Sequence, residues 1–398
     1  MKYYAREIES VLLSYLKLFP AVGLTGPRQS GKSTLLKHSL GSKYKYVTFD
    51  DPFNVDFFHT DPRGFMEKNS NRVIFDEVQK VPEIFSYIKI AIDNDRGTYG
   101  KFVLTGSSQF NLLKSITESL AGRIGLLSLL PFSFTELPEK TVASNVIYGS
   151  YPELLQRSYT GYREWYSSYL ENYIERDVRT LFNIGNLRDF HKCVKLLAAR
   201  TSCELNMSSV AKEVGVSVKT VQSWISVLEA SYIVFLLPNY HDNLGKRLVK
   251  RPKLYFYDTG LVNYLCGISS EEVLRNGPMD GTVFENYVVA DVMKQVKHNG
   301  ASFELFYLRD NQGLESDLII EDKENGELIF TEIKSNSTPK LAMVKSLNKL
   351  LQLASRIEKN ILTPKGKLIY RGNENGYFYE NIEFVNYRSF LMSFLSGT

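Results

Sequence analysis

The sequence predicts an α/β protein, and three observations predict it: a glycine-rich phosphate loop set between a strand and a helix, hydrophobic strands with acidic or polar tips downstream, and helical apolar spacing between them. Gly26, Pro27, Arg28, Gln29, Ser30, Gly31, Lys32, Ser33 and Thr34 fit the pattern G-x-x-x-x-G-K-[ST] at every defined position. Backbone N–H groups of such a loop and of the helix behind it point at phosphates, and Lys32 brings a mobile charge to the β- and γ-phosphates. The Ser33 hydroxyl is the expected Mg²⁺ ligand, so ATP and Mg²⁺ are the expected cofactors.

Each element follows in order. Ile8, Val11, Leu12, Tyr15 and Leu16 recur at helical spacing, and Pro20 to Thr25 reads as a short buried strand feeding the loop. Lys32 to Leu40 is the helix after it. Tyr46 to Phe49 is a second strand, closed by Asp50-Asp51-Pro52, which suits either a ligand-binding strand end or a plain Asp-Pro turn. Arg72 to Phe75 is a third strand running into Asp76-Glu77. This acidic tip places Asp76 near Mg²⁺ and Glu77 beside the γ-phosphate, where it orients the attacking water. Lys101 to Thr105, the fourth strand, ends in Gly106-Ser107-Ser108-Gln109 and resembles the sensor position of ATPases in which an extra strand separates the two phosphate-site strands. Ser107 or Ser108 then touches the γ-phosphate or water, unless the pair only caps a helix. Ile124 to Leu130 completes the sheet. Arg123, just before it, is a candidate arginine finger, acting in the same chain or from a neighbouring copy in a homo-oligomer; the alternative is a surface arginine.

Five stretches carry a resemblance: Gly-Pro-Arg-Gln-Ser-Gly-Lys-Ser at 26–33, Phe-Asp-Glu-Val-Gln-Lys-Val-Pro at 75–82, Leu-Thr-Gly-Ser-Ser at 104–108, Leu-Ala-Gly-Arg at 120–123 and Leu-Pro-Phe-Ser at 130–133. Together they resemble a widespread prokaryotic family of AAA-type ATP-binding proteins that join this ATPase to a C-terminal region of uncertain function. Tyr-Ile-Glu-Arg-Asp-Val at 173–178, Tyr-Phe-Tyr-Asp-Thr-Gly-Leu at 255–261 and Phe-Glu-Asn at 284–286 look like its later landmarks. The resemblance spans nearly the whole chain and implies ATP binding and hydrolysis, without supplying a cellular role.

With 398 residues, 43% of them hydrophobic and 23% charged, the chain is long enough for two or three cores. The expected units are an ATPase at 1–140, a helical and winged-helix unit at 141–265, and a nuclease-like unit at 266–398. Formal charge is +3 over residues 1–160, +4 over 161–260 and −3 over 261–398, which makes the middle the best place for nucleic acid. Cys193, Cys203 and Cys266 form no C-x-x-C pair and the five histidines no H-E-x-x-H, so neither a disulfide framework nor a zinc site is indicated. No apolar run approaches a spanning helix, and a cytoplasmic location without a membrane partner is expected.

Tyr162, Trp165, Tyr166, Tyr169 and Tyr173 recur at helical spacing, which suits packing on the ATPase better than stacking on nucleic acid. Leu187, Phe190, Val194 and Leu197 mark a further helix. Met207 to Val214, a turn at 215–217, and Val218 to Glu229 form a helix-turn-helix, and the strand at Ile233 to Leu237 completes a winged-helix order. Val218, Val221, Ile225 and Leu228 are expected inside, leaving Lys219, Gln222, Ser223 and Ser226 exposed where a reader of double-stranded DNA places them. Lys246, Arg247, Lys250, Arg251 and Lys253 could hold phosphates or form a solvated hairpin, and the alternative for the winged helix itself is an ATPase lid or a protein contact.

The last unit opens with a helix at Gly281 to Val296 carrying Glu285, then strands at 304–308, 316–320 and 328–333. Asp317 on one strand and Glu332-Ile333-Lys334 on the next put two carboxylates and an ammonium on one edge, because residues i and i+2 share a strand face. That arrangement can hold a metal through Asp317 and Glu332 while Lys334 positions water. It looks like the PD-(D/E)XK nuclease core, with Glu285 at the helix position that adds a ligand. Glu-Ser-Asp at 315–317 departs mildly from that core, where a hydrophobic residue usually separates the acids. The function expected from all this is an Mg²⁺-dependent ATPase that couples nucleotide state to nucleic-acid engagement and to metal-dependent cleavage. The alternative is a nucleotide-switched protein-binding module with an inactive nuclease-like end.

Overall fold

In the computed structural model, residues 3–106, 119–174, 187–240, 251–310, 313–322, 324–357 and 364–395 are described. The N-terminal unit runs α1 (Ile8–Leu18), β1 (Ala21–Thr25), α2 (Lys32–Leu40), β2 (Lys45–Thr48), α3 (Pro52–Thr60), α4 (Pro62–Lys68), β3 (Val73–Asp76), α5 (Ile84–Asp93), β4 (Phe102–Thr105) and β5 (Ile124–Ser128). All five strands are parallel, in the order β2-β3-β4-β1-β5. β4 therefore lies between the strand that feeds the phosphate loop and the strand that ends in the acids. A parallel sheet needs both faces covered. Ile8, Leu12, Leu35 and Leu36 cover one, and Phe58, Phe65, Phe85 and Ile88 the other. Strand ends shift from the hydrophobic runs by one or two residues. Asp51 settles its ambiguity as a helix cap, its carboxylate accepting from Phe53 N ahead of α3, while Asp50 pairs with Lys80 at 2.5 Å.

Next come α6 (Val142–Tyr148), α7 (Pro152–Gln156), α8 (Tyr162–Tyr169), α9 (Leu187–Ala199), β6 (Cys203–Glu204), α10 (Met207–Val214), α11 (Val218–Ala230), β7 (Val234–Leu237), β8 (Lys253–Phe256), α12 (Thr259–Leu265) and α13 (Glu271–Arg275). Asn206 and Ser217 cap α10 and α11, and Gly215 (φ 92°) makes the turn between them. Strands β6, β8 and β7 form a small antiparallel sheet in that order behind the two helices.

The aromatic stripe packs elsewhere than expected. Trp165, Tyr166 and Tyr169 are buried, but against Tyr151 and Tyr264 of the middle unit, with Tyr166 donating to Asp258 Oδ1 at 2.6 Å. Val218 also departs from expectation. It is 44% exposed, because it opens the first turn of α11, where the helix has not yet met its neighbours; Trp224 and Val227 are buried beside Val221, Ile225 and Leu228.

The C-terminal unit is α14 (Asp280–Asn299), β9 (Phe303–Arg309), β10 (Glu315–Asp322), β11 (Glu327–Lys334), α15 (Lys345–Ile357), β12 (Lys365–Tyr370), β13 (Gly376–Tyr379), β14 (Ile382–Asn386) and α16 (Tyr387–Ser393). Its mixed sheet has the order β13-β14-β12-β11-β10-β9. One hydrophobic cluster continues from Leu130 and Tyr151 through Trp224 and Tyr255 to Val283, Ile320 and Phe390, so the middle unit and the inner face of this sheet share a core. A smaller cluster under α15 covers the outer face. Helix α14 is the hub, packing on α1, β5, β8 and β11.

Candidate functional site

The phosphate loop turns on two glycines. At Gly26 (φ 136°) an added Cβ would lie 2.1 Å from Leu129 O, and Gly31 (φ 96°) caps α2 in the left-handed region, so neither position admits a side chain without strain. Lys32 is buried at the start of α2, and its ammonium donates to Gly26 O (2.9 Å) and Pro27 O (2.8 Å), lying across the loop it serves. Arg28, Gln29, Gly31, Lys32, Ser33, Thr34 and Glu77 line a cavity of about 300 Å³.

Asp76 ends β3 one strand away, and Ser33 Oγ donates to its Oδ2 at 3.4 Å. Tyr46 of β2 also donates to that oxygen. Burial pushes the Asp76 carboxyl above its ordinary range, and the Tyr46 hydrogen bond opposes the shift. Glu77 sits in the left-handed region (φ 57°) and accepts from the Gln79 amide. The sequence brings hydroxyl, lysine and both acids to one edge because β1 and β3 are parallel and end on the same side. A Mg²⁺ ion with ATP fits this pair: a hydroxyl and a desolvated carboxylate face each other at the mouth of the loop.

A family model of an AAA domain matches residues 18–138. The N-terminal unit is thus similar to the AAA domain, with the parallel sheet and phosphate loop of a P-loop fold. Two further models, both of domains of unknown function (DUF8612 and DUF4143), match residues 139–272 and 280–390. The chain is 28% identical over 339 residues to an uncharacterized protein of Mycobacterium tuberculosis, covering 85% of this chain and 75% of that one. It is 24% identical over 361 residues to an uncharacterized protein of Methanocaldococcus jannaschii, covering 82% and 78%. The Walker-type ATPase of Pyrococcus abyssi is similar at 16% identity and a TM-score of 0.44, covering 65% of this chain and 94% of that one, a likeness too distant to argue from.

Other residues of the ATPase unit fall differently. Ser107 and Ser108 lie outside the described residues. Arg123 stands just before β5, level with the start of β1, since Ala21 N donates to Arg123 O at 3.2 Å. The phosphate loop is at the other end of β1, roughly 13 Å away at about 3.3 Å per residue. Its guanidinium grips Asp93 with two hydrogen bonds of 2.9 Å. Arg123 is thus a structural clasp between α5 and the sheet, and as a finger within its own chain it is corrected.

Two contacts that sequence reasoning missed reach the ATPase site from outside. Tyr232, following α11 in a left-handed conformation (φ 55°), places its hydroxyl 2.8 Å from Thr25 Oγ1 and 2.5 Å from Ser128 Oγ, at the ends of β1 and β5. Arg6 donates to Ser30 O inside the loop (2.9 Å), to Leu130 O (2.7 Å) and to Glu136 Oε1 (2.9 Å). The stretch after β5 is in turn clasped by α14. Asp291 accepts from Phe134 N (2.8 Å), Lys294 donates to Phe132 O (3.2 Å), and His298 Nε2 accepts from Leu130 N (3.0 Å). Their spacing of three and four was the available signal: three buried polar residues on one helix face.

The acidic constellation of the last unit does assemble. Glu285 of α14, Asp317 of β10, and Glu332 and Lys334 of β11 come together around two lysines. Lys334 lies 2.5 Å from Glu332 Oε1 and 4.0 Å from Asp317 Oδ2, which also accepts from Ile333 N at 2.9 Å. Ser316 points away, its hydroxyl donating to Thr331 O at 2.9 Å. Burial and the Asp317 charge push Glu285 up to about 8 and Glu332 up to about 7. Two partners were not foreseen. Tyr255 donates to Glu285 Oε1 at 2.7 Å, and Lys253 enters from β8. Lys253 was expected among phosphate-holding cations, yet it is 3% exposed and turned inward. Lys246, Arg247 and Lys250 lie outside the described residues, and Arg251 is exposed.

Among the described residues no helix is long and apolar enough to cross a membrane.

Proposed function

We propose that the chain is an Mg²⁺-dependent ATPase whose nucleotide state is passed to the middle and C-terminal units. The observation that carries this is the single cavity where Lys32 and Ser33 meet Glu77, with Asp76 bonded to Ser33. Lys32 exchanges two neutral carbonyl acceptors for charged phosphate oxygens, a favourable trade for an ammonium. Ser33 and Asp76 hold Mg²⁺, which supplies neutralisation of the developing phosphate charge. Glu77, fixed by Gln79, orients the attacking water. Tyr232 and Arg6 tie the loop and its strand to the middle unit and to α14, so a shift of the loop on filling is felt there.

The finer reading is engagement of double-stranded DNA by the middle unit as a winged helix. It is supported by the sheet order β6-β8-β7 behind α10 and α11, and by the exposure of Lys219, Gln222 and Ser226 on α11. A second reading, a nucleotide-switched protein-binding module with an inactive nuclease-like end, is favoured by the position of Lys253 among the C-terminal carboxylates. The test combines ATP binding, ATP turnover and salt-titrated DNA binding. Lys32→Ala abolishes ATP binding, while Glu77→Gln binds ATP and turns it over about 100-fold more slowly. Arg251→Ala weakens DNA equally across sequences and lowers the log–log salt slope by about 0.9. Unchanged hydrolysis in Glu77→Gln removes that residue from the mechanism. A wild type with no DNA affinity at low salt in any nucleotide state leaves the protein-binding reading.

A further inference from the structure

The C-terminal carboxylates have the residue types of a divalent-metal site, and their geometry does not fit one. The Lys253 ammonium lies 3.1 Å from Glu285 Oε1, 3.1 Å from Glu315 Oε1 and 3.6 Å from Asp317 Oδ1, at the point where a bound cation would meet those three oxygens. Two further carboxylate oxygens are also engaged: Asp317 Oδ2 by Ile333 N and Glu332 Oε1 by Lys334. Among the described residues, the trio of His, Cys, Asp or Glu whose ligand atoms lie within 4.8 Å of one another is Glu7, Glu136 and His298, which includes none of these carboxylates and already holds Arg6.

We infer that this cluster is a lysine socket: the Lys253 ammonium from the middle unit fills the cation position permanently, fastens β8 to the C-terminal sheet, and keeps divalent metal out. The backbone that carries Lys253 is held on several sides. Its strand is paired on both sides, to β6 and β7. The chain beyond β7 is stitched to β9, with Tyr307 N donating to Pro238 O (3.0 Å) and Tyr240 N to Tyr307 O (2.6 Å). The Tyr307 ring flanks the ammonium at 5.5 Å. Withdrawing the lysine would leave Glu285, Glu315 and Asp317 facing one another with their shared counter-ion gone, an arrangement that burial makes strongly unfavourable.

The inference is independent of ATP turnover, because its test uses nucleotide-free protein. Full-length wild type, Asp317→Asn, Lys253→Met and the double variant are titrated with Mn²⁺, and the free ion is followed by electron paramagnetic resonance. Wild type and Asp317→Asn are expected to take up Mn²⁺ identically. Lys253→Met is expected to gain one ion per chain, and the double variant to lose it again. An ion taken up by wild type and lost in Asp317→Asn overturns the socket, and so does a folded Lys253→Met protein that gains none. Should Lys253→Met fail to fold, the comparison of wild type with Asp317→Asn decides alone.

Discussion

The lysine–carboxylate constellations of the N-terminal and C-terminal units use the same residue types in opposite ways. At the N-terminal site the Lys32 ammonium donates to two backbone carbonyls and its charge also acts on Asp76, while Asp76 accepts from Tyr46 and Ser33 and Glu77 accepts from Gln79. At the C-terminal site Lys253 and Lys334 lie directly on carboxylates. A lysine held by carbonyls gains when phosphate arrives, and an acid held by hydroxyls gains when a cation arrives. A lysine held by buried carboxylates gains nothing from leaving them. The first arrangement is poised for a ligand and the second is already complete.

The largest way to break this contrast is at Lys253. Lys253→Met should lower unfolding stability by about 3–5 kcal/mol, since it strands buried acids. Adding Asp317→Asn should recover part of the loss, because Asp317 is the charge that bears on both Glu285 and Glu332. Denaturant titration of both variants checks this, and a double variant no better than the single one would deny that charge is the cause.

A smaller effect is expected at the clasp on the phosphate loop. Burial opposes ionisation of Glu136, but Arg6 and then His298 outweigh it and hold the carboxyl well below its ordinary value of 4.5. The stability this contributes is fully present above 4.5 and is lost as pH falls toward the depressed value. Glu136→Gln should therefore cost about 2 kcal/mol near neutrality. Its deficit against wild type should shrink as pH falls below 4.5, and a deficit that is constant with pH would mean that packing and not charge is lost.

The smallest effect sharpens the comparison by its absence. Arg123→Ala should leave kcat unchanged, since its guanidinium holds Asp93 at the sheet edge away from the loop. Reduced turnover with unaltered ATP affinity, recovered on mixing with a Lys32→Ala protein, would instead place it on a neighbouring copy.

Much of this was legible in the sequence because it is local. The five strands, the loop, the acid tip and α2 are set by hydrophobic runs and by a fixed motif. Asp317, Glu332 and Lys334 followed from the two-residue period of strands. That same period pairs Glu315 with Asp317, and it was available but unused. What escaped depends on contacts between distant segments, which leave no periodic trace. Lys253 read as one more cation in a basic run, although it begins a strand whose neighbour Tyr255 shares its face and also reaches Glu285. Arg6, Tyr46 and Tyr232 lie 24, 30 and 207 residues from the partners that give them meaning. Arg123 was misplaced because spacing gives a strand's position in the chain but not which end of the sheet its first residue occupies.

The most direct test of the contrast is the number of divalent ions the intact protein holds when its nucleotide site is filled. Equilibrium dialysis with Mn²⁺ and a non-hydrolysable ATP analogue should give one tightly held ion per chain, lost in Asp76→Asn and unchanged in Asp317→Asn. Two ions per chain, one of them abolished by Asp317→Asn, would contradict the account and reopen the C-terminal sheet as a metal site.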